Sequence, residues 1–255
     1  MILSSLPKEF LELSKPVKKL FYKGNLSLLE QPKVAIIGSR KMSVYTKNLV
    51  LELSFLLKEI GVCVVSGGAI GVDICAAKGA FPSTIAIFAN GLDQIYPKSN
   101  EHLIKQIYEH ALALSENEPK YLPQRYDFLL RNRLIIALSK AVVVAQADLQ
   151  SGSLQSANLA LKLNKPLFVL PQRLDESKGT NLLLAQNKAR LIHDLKDFAL
   201  CFGELKKREE DDEVLEFCKK GVSLDEALDK FGERVYEYEL LGKIEINGVF
   251  IRVLV

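Results

Sequence analysis

Much that would mark a familiar chemistry is missing from this chain. Its four cysteines, Cys63, Cys75, Cys201 and Cys218, form no CxxC pair and no His–Cys ligand spacing. In a reducing compartment such cysteines read as small buried apolar residues. His102, His110 and His193 are scattered without a partner pattern, so no metal site is expected. No basic-then-apolar leader opens the chain, because the first residues run at once into Pro7, Lys8 and Glu9. No apolar run approaches the ~20 residues that span a bilayer. A cytoplasmic location and no membrane partner are therefore expected. There are no internal repeats and no low-complexity tract.

What is present is enough for a sizeable core. The chain has 255 residues, 48% of them hydrophobic, which suits one large or two unequal domains. The net charge of +3 hides an asymmetry. From Glu204 to the C-terminus nine Lys/Arg face fourteen Asp/Glu, a net −5, which leaves +8 on the preceding residues. Any polyanion binding then belongs to the basic body, although an incidental asymmetry would look the same.

The body alternates short apolar runs rich in β-branched residues with helical stretches. Strands are expected at Val34–Ile37, Val62–Ser66, Thr84–Phe88, Leu112–Leu114, Ala141–Ala145 and Pro166–Leu170. Helices are expected near Tyr45–Ile60, Val72–Ala80, Glu101–Glu109, Arg131–Ser139, Ser153–Leu163 and Asn181–Ala189. Continuously apolar strands suit a parallel sheet buried on both faces. The alternation implies right-handed βαβ units and an α/β fold with a doubly wound, Rossmann-like, mostly parallel sheet. Ligands of such sheets sit beyond the carboxyl ends of the strands, where every Gly-rich segment here falls. Residues 205–212 read as a charged linker, Lys206, Lys207 and Arg208 followed by Glu209 to Asp212. Beyond it a helix at Val214–Lys219, a Ser223/Glu226 capping box with a helix to Lys230, a helix at Arg234–Leu241 and a hairpin turning at Asn247-Gly248 give a small winged-helix-like domain over 213–255.

Four segments carry candidate chemistry. Gly38-Ser39-Arg40 ends a strand, where bare backbone can approach a phosphate and Arg40 can supply a forked counter-charge. It is not GxGxxG, and the next strand ends in Ser66 instead of an acid, which counts against a dinucleotide cofactor. Alone it also fits a plain strand-to-helix turn. Ser66-Gly67-Gly68 opens a loop running through Gly71 to Asp73, a backbone anion cradle at a helix N-terminus with Asp73 in a structural role. Arg125, Tyr126 and Phe128 precede Arg131, Asn132 and Arg133. Here arginines can fix phosphates and an exposed ring can stack on a base, while the competing reading makes Phe128 core and the arginines solvated. Ser151-Gly152-Ser153 is a polar helix N-terminus suited to phosphate oxygens, or a simple N-cap.

Taken in order, VAIIGSR, VVSGGAIGVD, TIAIFANGLDQIYPKSN, LSE, FLLRNRLIIALS, SGSLQSA and KGTNLLL resemble the DNA processing protein A (DprA, also called Smf) family over about Pro32 to Arg190. LSKPVKKLFYKGNLSLL resembles the family's lead-in, here within residues 1–30. The resemblance implies an extended Rossmann-like domain, here 31–204, that binds single-stranded DNA without sequence preference. It also implies homodimers, contact with the RecA recombinase and with single-strand-binding protein, a role in natural transformation, and neither catalysis nor a cofactor. Carried over by position, the DNA-binding set is Gly38, Ser39, Arg40, Ser66, Gly67, Gly68, Arg125, Phe128, Arg131, Asn132, Arg133, Ser151, Gly152 and Ser153. Departures from the family pattern are Ala77 where a histidine is common, Gln146-Ala147 where Glu-Ala is common, and Pro171-Gln172 where Pro-Gly is common.

The main rival is a nucleotide phosphoribohydrolase of the related LOG superfold. Its Pro-Gly-Gly-x-Gly-Thr-x-x-Glu corresponds to Gln150–Ala157 here, a stretch without a carboxylate to move a proton. A third reading, duplex recognition by the winged helix, is opposed by the net −5 carried from Glu204 onward.

Overall fold

The computed structural model describes residues 1–204, 213–240 and 242–254, without the side chains of Glu12 and Leu240. It divides into two compact units, Met1–Leu205 and Lys206–Val255. The expected linker at 205–212 lies outside the described residues.

The first unit is built on an eight-stranded sheet. Its strands are β1 (Phe21–Gly24), β2 (Lys33–Ile37), β3 (Cys63–Ser66), β4 (Thr84–Phe88), β5 (Leu112–Ser115), β6 (Ala141–Val144), β7 (Leu167–Val169) and β8 (Arg190–Leu191). They lie in the order β1-β5-β4-β3-β2-β6-β7-β8, all parallel except β1, which pairs antiparallel with β5. Every residue of β2 to β6 is buried, the demand that a sheet covered on both faces places on its strands. Along β2, Val34 and Ile36 join one core while Ala35 and Ile37 join the other, the two-residue alternation of a strand.

Seven helices connect and cover these strands: α1 (Val44–Glu59), α2 (Val72–Ala80), α3 (Glu101–His110), α4 (Arg125–Leu138), α5 (Gly152–Lys162), α6 (Lys178–Ala185) and α7 (Leu195–Leu200). Leu53 and Leu57 of α1, Cys75 and Ala76 of α2 and Phe198 of α7 pack on one face. Ile104 and Ile107 of α3, Leu134 to Leu138 of α4, Ala160 of α5 and Leu183 of α6 pack on the other. This is the doubly wound α/β architecture expected from the alternation. From β2 the chain winds outward through β3, β4 and β5. It then returns to lay β6 on the other side of β2 and continues to β7 and β8.

The second unit contains α8 (Glu213–Cys218), α9 (Leu224–Phe231), α10 (Arg234–Leu240) and the antiparallel hairpin β9 (Ile244–Asn247) and β10 (Phe250–Val253). Ser223 caps α9 by accepting from the Glu226 N–H, and Glu226 accepts from the Ser223 N–H at 2.8 Å. The hairpin turns through Gly248 at a φ of 62°, a conformation that glycine adopts without strain. Val214, Cys218, Ala227, Phe231, Val235, Ile244 and Ile251 form a core of their own.

Three of the cysteines are buried as expected, whereas Cys201 is exposed. Among the described residues no helix is long and apolar enough to cross a membrane, and no cluster of His, Cys, Asp or Glu is placed to hold a metal.

Candidate nucleic-acid interface

The winding reverses between β2 and β6, and the crevice beyond the carboxyl ends of two such strands is where open α/β sheets bind ligands. The loop after β2 is Gly38-Ser39-Arg40, and the segment after β6 leads to Ser151 at the head of α5. Between them runs a groove enclosing about 620 Å³. Its lining contains Gly38, Ser39, Arg40, Arg125, Phe128, Arg131, Asn132, Ser151, Gly152 and Ser153, so ten of the fourteen candidates share one rim.

Hydrogen bonds below the groove fix its two walls. The Ser39 N–H donates to the Gln146 carbonyl at 2.8 Å, and the Ser43 N–H donates to Gln146 Oε1 at 3.0 Å. Gln146 Nε2 reaches the Glu176 carbonyl at 3.1 Å. Gln172 Nε2 donates to the Ala145 carbonyl at 2.7 Å and to Thr46 Oγ1 at 2.9 Å. Both glutamines stand at departures from the family pattern, and both brace backbone under the rim. Gly38 has no room for a side chain: a Cβ there would lie 2.7 Å from Val72 Cγ2.

Arg40 is exposed, and its guanidinium carbon lies 5.2 Å from the centre of the half-buried Phe128 ring. Tyr96, 45% exposed, sets its ring centre 5.8 Å from that of Phe128. The groove thus carries two neighbouring rings and a cation on one of them, a surface for flat, electron-rich groups next to anionic ones. Tyr96 also lines the groove and was missed by sequence reasoning, although it stands in the quoted DQIYPKSN stretch. Tyr126, by contrast, is exposed and not part of the lining.

Helix α4 sorts its own residues by the 3.6-residue turn. Arg125, Phe128 and Asn132 face the groove, while Asp127, Leu130, Arg133 and Leu134 line a separate cavity on the other side. Arg133 is therefore corrected: it is buried and donates through Nη2 to both Glu116 oxygens, at 2.6 and 2.7 Å. Arg131 lies between the two faces, buried, and donates from Nη1 to the Gly67 and Ile87 carbonyls. Burial pulls its pKa down to about 10. Asn132 accepts from Arg131 Nε at 3.0 Å and donates to Ser156 Oγ at 2.9 Å.

The glycine loop after β3 is also corrected. It was expected as an open phosphate cradle, yet Ser66, Gly67 and Gly68 are all buried. The Ser66 hydroxyl donates to the Ile36 carbonyl at 2.7 Å, and neither Ser66 nor Gly68 lines the groove. The glycines are there for close packing. A Cβ on Gly67 would lie 2.4 Å from Asp73 Oδ2 and 2.5 Å from Arg131 Nη2, and one on Gly68 would lie 2.7 Å from Phe88. Gly71, at a φ of 89°, leaves no space beside the Ser39 carbonyl. Gly67 still borders a small recess beside the groove, together with Arg40, Tyr96 and Phe128. Burial pushes the Asp73 carboxyl above its ordinary value, opposed by Arg131 and by the backbone N–H groups of Gly67 and Ala69. Asp73 therefore holds the loop, the structural role expected of it.

Ser151 acts as the N-cap of α5, its hydroxyl accepting from the Leu154 N–H at 3.1 Å and donating to the Asp148 carbonyl at 2.7 Å. The hydroxyl is thus committed to the backbone, and what the groove receives here is the helix end itself.

The family model for DNA recombination-mediator protein A matches residues 3–203. The chain belongs to this family. It is 36% identical over 198 residues to DNA processing protein DprA of Bacillus subtilis, across 76% of this chain and 66% of the relative. It is 38% identical over 179 residues to the Streptococcus pneumoniae DprA, across 68% of this chain and 62% of the relative. The match thus spans just under two-thirds of each of these family members. Among solved structures, DNA processing protein A from Helicobacter pylori, studied for its single-stranded DNA binding mode, superposes with a TM-score of 0.78. It is 48% identical, and the superposition covers 79% of this chain and 94% of that one. The Streptococcus pneumoniae DprA structure superposes with a TM-score of 0.72 at 37% identity, over 78% of this chain and 71% of that one.

Proposed function

We propose that this chain binds single-stranded DNA without sequence preference in the groove between the β2 and β6 loops. As a homodimer it delivers that DNA to the RecA recombinase, displacing single-strand-binding protein, during natural transformation. The observation that carries the reading is Arg40 set 5.2 Å from the Phe128 ring, on the rim where the sheet reverses its winding. Arg40 and Arg125 supply positive charge to phosphates. Phe128 and Tyr96 offer faces to bases, which every base can use, so affinity comes without sequence readout. The related Helicobacter pylori protein binds single-stranded DNA, and this chain is 48% identical to it.

The reading is of a binding module, not a nucleotide hydrolase. Asp73, the carboxylate of the groove lining, is held by the Gly67 and Ala69 amides and serves the loop. Paired protomers raise avidity where each contacts few phosphates. Titration of oligo-dT against duplex of equal length at two salt concentrations tests the proposal. Binding of the single strand should be tighter and should weaken with salt by ~0.7 log unit per log unit for each phosphate neutralised. Equal affinity for the duplex, whose bases cannot reach the rings, would overturn it.

A further inference from the structure

On the face of α4 turned away from the groove lies a second cavity of about 510 Å³. That volume falls within the ~300–1,000 Å³ of small-molecule sites. Lys15, Lys18 and Lys19, all exposed, line it from the segment before β1, and the half-buried Leu130 of α4, over the fully buried Leu134, gives it an apolar patch. Lys19 approaches Glu118 at 3.4 Å, while Lys15 and Lys18 have no ion pair among the described residues.

Arg133 lines the same cavity, with its side chain only 9% exposed. Its Nη2 is held by Glu116, but Nε and Nη1 are buried without a hydrogen-bond partner. A buried guanidinium with unbonded nitrogens is costly, so an anion that reaches it is bound favourably. A guanidinium attracts a phosphate through its charge and its free N–H donors, and two unpaired lysines beside it add charge of the same sign. A bare phosphate would leave Leu130 uncovered. A flat nucleoside covers it, and the neighbouring Glu118 carboxylate can accept from its hydroxyl or amino groups.

We infer that this cavity binds a nucleoside monophosphate, with the phosphate at Arg133, Lys15 and Lys18 and the nucleoside against Leu130. The site shares Arg131 with the groove wall, but it opens on the opposite face of α4 and stands independently of the DNA-binding reading.

Calorimetric titration of the full chain with adenosine 5′-monophosphate tests this, with adenosine and inorganic phosphate as comparison probes. The variants are the double charge reversal Lys15→Glu/Lys18→Glu, at exposed positions that leave the core intact, and Arg40→Ala in the groove. Saturable binding of the monophosphate is expected, weakened at least tenfold by the double reversal and unchanged by Arg40→Ala. Adenosine should not bind, phosphate should bind more weakly than the nucleotide, and oligo-dT should not displace it. No binding at millimolar nucleotide would overturn the assignment. So would binding lost in Arg40→Ala but kept in the double reversal, equal binding of adenosine or phosphate, or displacement by oligo-dT.

Discussion

Arg40 and Phe128 touch the same ligand through different forces, and the difference is measurable. Arg40 acts through charge, so Arg40→Ala should weaken single-strand binding and lower the salt slope by about 0.7, the share of one phosphate. Phe128 acts through its face, so Phe128→Ala should cost ~1–3 kcal/mol per stacked base while leaving the slope unchanged. Fluorescence titrations at several salt concentrations separate the two; wild-type affinity in both variants would remove the groove from the account. At this scale the sequence told residue type better than residue direction. Arg125 and Arg133 sit eight positions apart on one helix, yet one lines the groove and the other is buried against Glu116. The sequence shows three arginines but not which of them finds a carboxylate partner across a neighbouring loop. The glycines after β3 show the same limit. Their density was legible, but an open anion cradle and a loop packed on Arg131 and Phe88 both demand glycine, and only the packed neighbours tell them apart.

At the scale of elements, legibility followed burial. All six strands expected in the body are present, because β2 to β6 are buried throughout and mostly apolar, and β7 is nearly as buried. β1 was missed: Phe21–Gly24 is a half-buried edge strand without a β-branched residue, so neither pattern marks it. β8 has two residues and α7 six, too short for any periodicity to develop. α4 begins at Arg125, six residues before the expected Arg131, because its first turns carry polar and aromatic side chains for the groove instead of a core stripe. What starts it there is Asp127, which accepts from the Gln124 N–H at 2.8 Å and from the Tyr121 hydroxyl at 2.8 Å. The capping box of α9, by contrast, was legible from Ser223 and Glu226 alone, and it yields a prediction. Ser223→Ala should destabilise the C-terminal unit by about 1 kcal/mol, read from its urea unfolding. The Ser223 N–H and hydroxyl hold the Glu226 carboxyl below its ordinary value. A depressed folded-state value stabilises above the unfolded value, and that contribution fades as pH falls through the folded one. The difference between wild type and Glu226→Gln should therefore be present at neutral pH and vanish in acid below the ordinary carboxylate range. A difference that persists there would show that the cap acts through packing.

For the whole molecule the question is which unit carries the DNA affinity. Positive charge concentrates in the residues before Glu204, at +8, while the remainder carries −5. Binding to a polyanion is driven largely by release of its counterions, so an acidic unit adds nothing to that drive and opposes close approach. The groove, its two rings and both of its exposed arginines belong to the first unit, which has two cores of its own. The second unit has a core of its own. A chain ending before Asp211 is therefore expected to fold and to bind oligo-dT at least as tightly as the full chain, with the same salt slope. Tighter binding at low salt that converges with the full chain at high salt would mark simple relief of repulsion, because screening removes that term first. Loss of affinity in a truncated chain that keeps its circular dichroism would place essential DNA contacts in the winged-helix-like unit, and the charge argument would fail with it.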